Sequence, residues 1–363
     1  RSLLAALDSA GLKPTLAAPT GRAARRLADA CGREAKTIHR LLEYSPETQT
    51  FLRSESFPLR ANYLIVDEAS MMDVELAASL TRALMPNSSL LLVGDRDQLP
   101  SVGPGSVLKD VIASDLVPVA ALREVYRQAR RSLIVANAHR MNRGEMPETP
   151  NDPEGDFFFF ERNAPEDLLG TIKQLVHTRL VGKFGLEDPR DIQVLTPMNR
   201  GPLGAQALNR ELQDLLNPRG RELRAGERRF REGDPVIQLR NNYDKLVFNG
   251  AIGRVLAVDS QRGKLGVAFE EGHAEYDLPE LDELGLAYAI SIHKSQGSQY
   301  PAVVIPVHQT HYLMLRRNLL YTAITRAERV CVLVGTRSAL AQAVRNEDER
   351  RRFSRLADRL RVE

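Results

Sequence analysis

Two adjacent carboxylates, Asp67 and Glu68, close an apolar run in the stretch YLIVDEAS (63–70). Leaving a sheet edge in different directions, such a pair can divide the work of nucleotide hydrolysis. One carboxylate holds Mg2+, usually through water, while the other polarises the attacking water. A plainer reading is local: Ser70 and Asp73 match the S-x-x-D/E capping box, and the acids would then only complement the N-terminus of the next helix. Four residues alone leave both readings open.

Other stretches carry chemistry in the same order along the chain. LLLVGDRDQLPSVGPG (90–105) is again an apolar strand running into a polar loop, where Gln98 can hydrogen-bond a terminal phosphate or water. That loop is long for a simple connection. In LREVYRQ (122–128), Arg127 can reach a phosphate or merely decorate a helix. HKSQGSQ (293–299) gathers His, Lys, Ser and Gln around one glycine, a loop rich in donors for a backbone phosphate or a nucleotide. Arg326, in LLYTAITRAER (319–329), stands at a helix end just before a strand, where attraction to the helix dipole is the ordinary explanation.

The elements that must position these residues alternate. Residues 2–10 predict a helix closed by Gly11, TLAA (15–18) a strand, 21–32 and 37–44 helices, NYLIVD (62–67) a strand, 71–85 a helix and SLLLVGD (89–95) a strand. Strands apolar throughout, alternating with helices, imply a mostly parallel sheet covered on both faces. Ligands collect at the carboxyl ends of such strands, where Asp67, Glu68 and Asp95 fall. A second α/β unit starts near residue 118 and includes 132–142, 191–199, 301–307, 315–325 and 329–335. Residues 233–285 interrupt it with short strand-like runs between Gly, Asn and Asp turns, the pattern of a small inserted β-barrel. Residues 44–58 are a polar insertion suited to a hairpin, and the FFFF run at 157–160 reads as a core strand rather than a base-stacking platform.

Composition sets outer bounds. The 363 residues suffice for two or three domains; 43% are hydrophobic and 27% charged, and no apolar run is long enough to cross a bilayer. The start, RSLLAALDSAG, lacks the pattern of a signal peptide and an initiator Met, so the chain is expected to be a fragment. Two cysteines, Cys31 and Cys331, show no metal-type spacing and read as reduced, buried thiols of a cytoplasmic protein. A net charge of +3 argues only weakly for a polyanionic partner. Arginine gathers in 21–27, 122–131 and 217–233, for which a solvated face is the simplest account.

Taken together and in this order, the motifs resemble motifs II to VI of superfamily 1 helicases, with APTGRAA (18–24) similar to motif Ia and TIHRLL (37–42) to the DNA-contacting motif after it. APTGRAARRL, TIHRLL, VDEASMMD, GDRDQLPSVGPG, ISIHKSQGSQY and YTAITRAER most resemble the RecD-type helicases, including the free-standing bacterial RecD-like proteins, over residues 15 to 336. The resemblance implies an α/β fold of two RecA-like parallel-sheet motor domains, with an SH3-like barrel at 233–285 and a strand-separating hairpin pin at 44–58. It places the first motor at 1–117, the second at 118–232 and 286–345, and a helical tail at 346–363.

The implied activity is an ATP- and Mg2+-dependent DNA helicase that moves 5′ to 3′ on single-stranded DNA and opens fork DNA. Asp67 would bind the metal and Glu68 would activate water; Gln98, Arg127 and Arg326 would address the γ-phosphate, with Gly297 and Gln299 near the nucleotide. Pro19, Thr20, Arg22, His39 and Val102 on the first motor, and Thr196, Asn199, Arg200, His293 and Lys294 on the second, would contact DNA, mostly at phosphate and sugar. A P-loop, G-x-x-x-x-G-K-[ST], should precede motif Ia and does not occur in these residues, so nucleotide affinity and hydrolysis are expected to be impaired in them alone. Two alternatives stay open: a translocating ATPase that serves a relaxase or nuclease, and a module that only binds single-stranded DNA.

Overall fold

In the computed structural model, residues 1–122, 132–186, 191–270, 272–347, 352 and 354–361 are described. The chain divides into two units, Arg1–Glu124 with Glu349–Glu363, and Val125–Asp348.

In the first unit, α1 (Ser2–Ser9) leads into β1 (Thr15–Ala18), α2 (Gly21–Cys31), β2 (Ala35–Thr37) and α3 (Ile38–Leu41). A small antiparallel hairpin follows, β3 (Tyr44–Ser45) with β4 (Thr50–Phe51); then come β5 (Tyr63–Val66), α4 (Val74–Ala83), β6 (Ser89–Leu92) and α5 (Val107–Ser114). The sheet is parallel in the order β2-β1-β5-β6. Because β5 alternates its buried residues between two faces, both faces need cover. Leu64 and Val66 pack with Ile38, Leu42, Met72 and Leu80 on one side, while Ile65 packs with Leu4, Leu7 and Leu16 on the other. Helix boundaries follow local chemistry: the Thr20 side chain caps α2, which ends at Gly32 in the left-handed region (φ 66°). The helix expected over 37–44 is shorter than predicted, since Tyr44 leaves it to pair with Phe51 in the hairpin.

In the second unit, α6 (Leu133–Asn142) precedes β7 (Phe157–Glu161), α7 (Pro165–Gln174), α8 (Leu180–Phe184), β8 (Ile192–Thr196) and α9 (Ala205–Leu216). The antiparallel strands are β9 (Glu222–Ala225), β10 (Arg228–Arg231), β11 (Pro235–Gln238), β12 (Ile252–Asp259), β13 (Lys264–Phe269), β14 (Gly272–Asp277) and β15 (Leu284–Leu286). Then come β16 (Ala289–Ser291), β17 (Tyr300–Val307), α10 (Arg317–Ile324), β18 (Ala327–Gly335) and α11 (Arg337–Arg345). The parallel sheet runs β16-β8-β17-β18-β7, so the Phe run is an edge strand of the core, with Phe157, Phe158 and Phe159 buried. The inserted strands form a separate sheet, β14-β13-β12-β11-β15, and Leu223 and Phe230 of the β9–β10 hairpin join its core.

A buried carboxylate fastens this insertion to its host helix. Asp234 accepts hydrogen bonds from Gln213 (2.5 Å) and Asn217 (2.6 Å) at the end of α9, from the Arg231 amide (2.6 Å) and from the Tyr288 hydroxyl (2.8 Å). Two arginines of 217–233 are likewise engaged within the unit: Arg229 and Arg231 pair with Asp214, and Arg231 also pairs with Glu222.

The last described residues return to the first unit as α12 (Leu356–Leu360), where Leu356 joins the core that includes α4 and α5. Of the two thiols, Cys331 is fully buried, and burial raises its pKa, but Cys31 is only half-buried beside α1, which corrects the expectation for that residue.

Candidate active site and nucleic-acid interface

β5 delivers the two carboxylates. The Asp67 amide still donates to the Ala17 carbonyl of β1 (2.9 Å), which fixes Asp67, half-buried, at the last rung of the sheet. Glu68 then turns into the left-handed region (φ 52°, ψ 39°), a conformation disfavoured for a residue with a Cβ. Its amide donates to Asp67 Oδ1 (2.9 Å), its carbonyl accepts from Met71 (3.0 Å), and the following Ala69 amide donates to Val93 at the end of β6 (2.9 Å). Thus the turn is held from both sides, and it tucks the Glu68 side chain inward at 6% exposure.

The capping reading is corrected. Asp73, not Ser70, caps α4 by accepting from the Leu76 amide (2.8 Å), while the buried Ser70 hydroxyl makes no hydrogen bond among the described residues.

The loop after β6 packs on that turn. A Cβ at Gly94 would stand 3.1 Å from the amide nitrogens of both Ala69 and Ser70, so a side chain here would push the two loops apart by a few tenths of an ångström. Beyond it, Asp95 accepts from the Asp97 amide (3.0 Å) and from Gln98 Nε2 (3.2 Å), which orients Gln98. Sequence reasoning passed over Arg26 on α2. Its Nη2 lies 3.3 Å from Glu68 Oε1, and its buried Nη1 has no hydrogen-bond partner among the described residues. The signal was present, since Arg22 and Arg26 stand four residues apart in GRAARRL and so share one helix face.

The candidate DNA contacts of this unit occupy nearby element ends. Pro19 and Thr20 lie between β1 and α2, Thr20 accepts from the Ala23 amide (3.3 Å), and Arg22 lies in the first turn of α2. His39 is exposed on α3, with its ring edge-on to Tyr44 (5.6 Å) and against Phe51 (5.5 Å), so the hairpin is seated on it. Desolvation by this packing lowers the His39 pKa, outweighing the opposing effect of Asp73. Val102, 90% exposed, stands at the tip of the loop 101–105.

In the second unit, Thr196 at the end of β8 is 0% exposed, and its hydroxyl donates to the Leu203 carbonyl (2.7 Å). This corrects its expected role: Thr196 shapes the loop that exposes Asn199 and Arg200 and does not itself reach the surface. His293 and Lys294 follow β16. Both have lowered pKa values, chiefly through desolvation, to which Arg316 adds repulsion at His293. Gly297 takes φ 73°, and Gln299 is exposed two residues on. Arg326 is 2% exposed: Nη1 donates to the Ser298 carbonyl (3.2 Å) and Nε to the Thr322 carbonyl (3.2 Å). The tertiary fold therefore brings Arg326 to the Gly297–Gln299 loop. Arg127 lies outside the described residues.

Comparison with known proteins accords with this arrangement. Residues 1–104 match the model of an AAA domain, residues 208–269 that of the ATP-dependent RecD-like DNA helicase SH3 domain, and residues 286–334 that of the UvrD-like helicase C-terminal domain. The ATP-dependent RecD2 DNA helicase of Deinococcus radiodurans is 39% identical over 98% of this chain, and the RecBCD enzyme subunit RecD of Mycobacterium tuberculosis is 31% identical over 91%. The chain spans 47% and 61% of those relatives' own lengths. Among solved structures, the Pif1 helicase from Bacteroides in complex with ADP-AlF3 and ssDNA shares the fold at a TM-score of 0.51 and 18% identity, covering 88% of this chain and 82% of that one.

Proposed function

Because the chain is a homologue of the RecD-like DNA helicases along nearly its whole length, we propose that it carries the motor of an ATP-dependent DNA helicase, which translocates 5′ to 3′ on single-stranded DNA and opens forks in the cytoplasm. The observation that carries the reading is the turn at 67–70. It presents one half-buried and one inward-facing carboxylate at the carboxyl end of a central parallel strand, against a loop whose Gln98 is oriented by Asp95.

The residues fit a magnesium ion shared with a nucleotide. Asp67 offers hard oxygen donors, and among the described residues no group of three His, Cys, Asp or Glu forms an all-protein cage. Mg2+ leans on one or two carboxylates, waters and substrate phosphates, and when bound it would neutralise charge on the phosphoryl oxygens. Asp67 would hold it, Glu68 would orient and deprotonate the attacking water, Gln98 would hydrogen-bond that water or the terminal phosphate, and Arg326 would turn its fork to phosphoryl oxygens on exchanging the Ser298 and Thr322 carbonyls for them. Pro19, Thr20, Arg22, His39, Val102, Asn199, Arg200, His293 and Lys294 would follow the DNA strand. The hairpin seated on His39 would act as the separating pin.

Glu68→Gln in the complete protein tests this. DNA-stimulated ATP hydrolysis and fork unwinding should fall by at least about 10²-fold, as expected for loss of a general base, with single-stranded DNA affinity retained. Undiminished hydrolysis would remove Glu68 from the mechanism.

A further inference from the structure

The loop Ser101–Gly105 is held by a residue some 250 positions away in the chain. Arg352 Nη1 donates to the carbonyls of Gly103 (2.6 Å) and Gly105 (2.7 Å) and to Ser101 Oγ (3.2 Å), and Nη2 donates to the Ser101 carbonyl (2.7 Å). The carbonyls of Ser101, Gly103 and Gly105 thus converge on one guanidinium, while the Pro104 carbonyl accepts from the Val74 amide at the start of α4 (3.0 Å). Arginine alone among side chains presents a planar fork of donors with no acceptor to conflict with them.

The segment that supplies Arg352 is itself anchored. The Ser354 hydroxyl pairs with the Asp110 carboxylate, Leu356 packs in the core of the first unit, and Arg361 donates to the carbonyls of Ala113 and Ser114 at the C-terminus of α5, where a cation is favoured. From the other side α4 closes on the loop. A Cβ at Gly103 would fall 2.1 Å from Asp73 Oδ2, and one at Gly105 (φ 84°) 2.2 Å from Val74 Cγ2. Walled in on both sides, the loop buries Ser101 and leaves Val102 almost wholly exposed.

We infer that Arg352 and residues 354–361 act as a strap that positions the Val102 loop for single-stranded DNA, with Arg352 as the positioning residue. The assignment of DNA as the ligand rests on the proposed function; the clamping of the loop does not.

The test uses the full-length protein with Arg352→Ala, Arg352→Lys and Val102→Ala, singly and with Arg352→Ala combined with Val102→Ala. Hydrogen–deuterium exchange should accelerate in Arg352→Ala at residues 101–105, and lysine should restore protection only in part because it lacks the fork. Affinity for a labelled oligonucleotide should fall about tenfold, with basal ATP hydrolysis within about twofold, as expected when a preorganised contact is loosened. Combining Val102→Ala with Arg352→Ala should add little, since both act through one loop. Unchanged exchange at 101–105 in Arg352→Ala would overturn the strap, as would a fully additive double variant with globally raised exchange, which marks general destabilisation. Accelerated local exchange in a protein that binds no oligonucleotide would leave the strap standing and sink the assignment of DNA.

Discussion

At the scale of single residues, the site depends on a glutamate held in an unfavourable backbone conformation. Asp67, Met71 and Val93 fix the turn through hydrogen bonds, and Arg26 meets its carboxylate from α2. If Arg26 orients Glu68, Arg26→Ala should lower ATP turnover roughly tenfold with single-stranded DNA affinity unchanged, and Arg26→Lys should recover part of the loss. A steady-state comparison of kcat and KM checks this, and equal turnover in Arg26→Ala and the unaltered protein would exclude the role. The carboxylates themselves were legible in the sequence because a strand apolar throughout must end where charges begin. Arg26 was not, because its partner lies 42 positions away. Ser70 misled for a related reason: the capping pattern is satisfied by letters, but the cap belongs to Asp73, where the chain actually turns into α4.

At the scale of elements, the apolar strands and most helices were readable from periodicity and caps, while short connections were not. Residues 37–44 have helical periodicity, yet α3 stops at Leu41 because Tyr44 gains more by packing with His39 and Phe51 at the base of the hairpin. The turn after β17 contains a buried histidine that should make stability depend on pH. His311 is 2% exposed and neither ring nitrogen closes a hydrogen bond among the described residues, though the Leu203 and Pro306 carbonyls lie near enough to favour the cation weakly. Burial, and then His308, push its pKa from 6.5 down to about 4. The unfolded chain therefore takes up the proton first as pH falls. Stability from this group is complete above pH 6.5 and is lost progressively down to about 4, a total of about 3 kcal/mol. Denaturant unfolding between pH 7 and 4 should show that slope, and His311→Leu should flatten it.

At the scale of the whole molecule, a net charge of +3 gives little general attraction for a polyanion, so the proposed binding would draw on particular cations at the strand ends. Affinity for single-stranded DNA should fall linearly with the logarithm of salt concentration, and Arg200→Ala should reduce the slope by about 0.7, the share of one phosphate contact. An unchanged slope would place Arg200 off the DNA path. Composition could not identify the arginines free for such work, because charge counts are blind to partners: those of 217–233 include Arg229 and Arg231, which pair with carboxylates of their own unit.

By itself the sequence determined the two parallel-sheet units and the antiparallel strands inserted in the second, because apolar periodicity and turns are local properties of the chain; the roles of the motif residues came from the resemblance. Only the tertiary structure decided that Thr196 faces inward, that Arg326 reaches the Gly297–Gln299 loop, that Arg26 meets Glu68 and that Arg352 closes on the Val102 loop. Each of these depends on where a side chain meets a partner after the chain has folded back on itself, and such meetings leave no periodic trace in the order of residues.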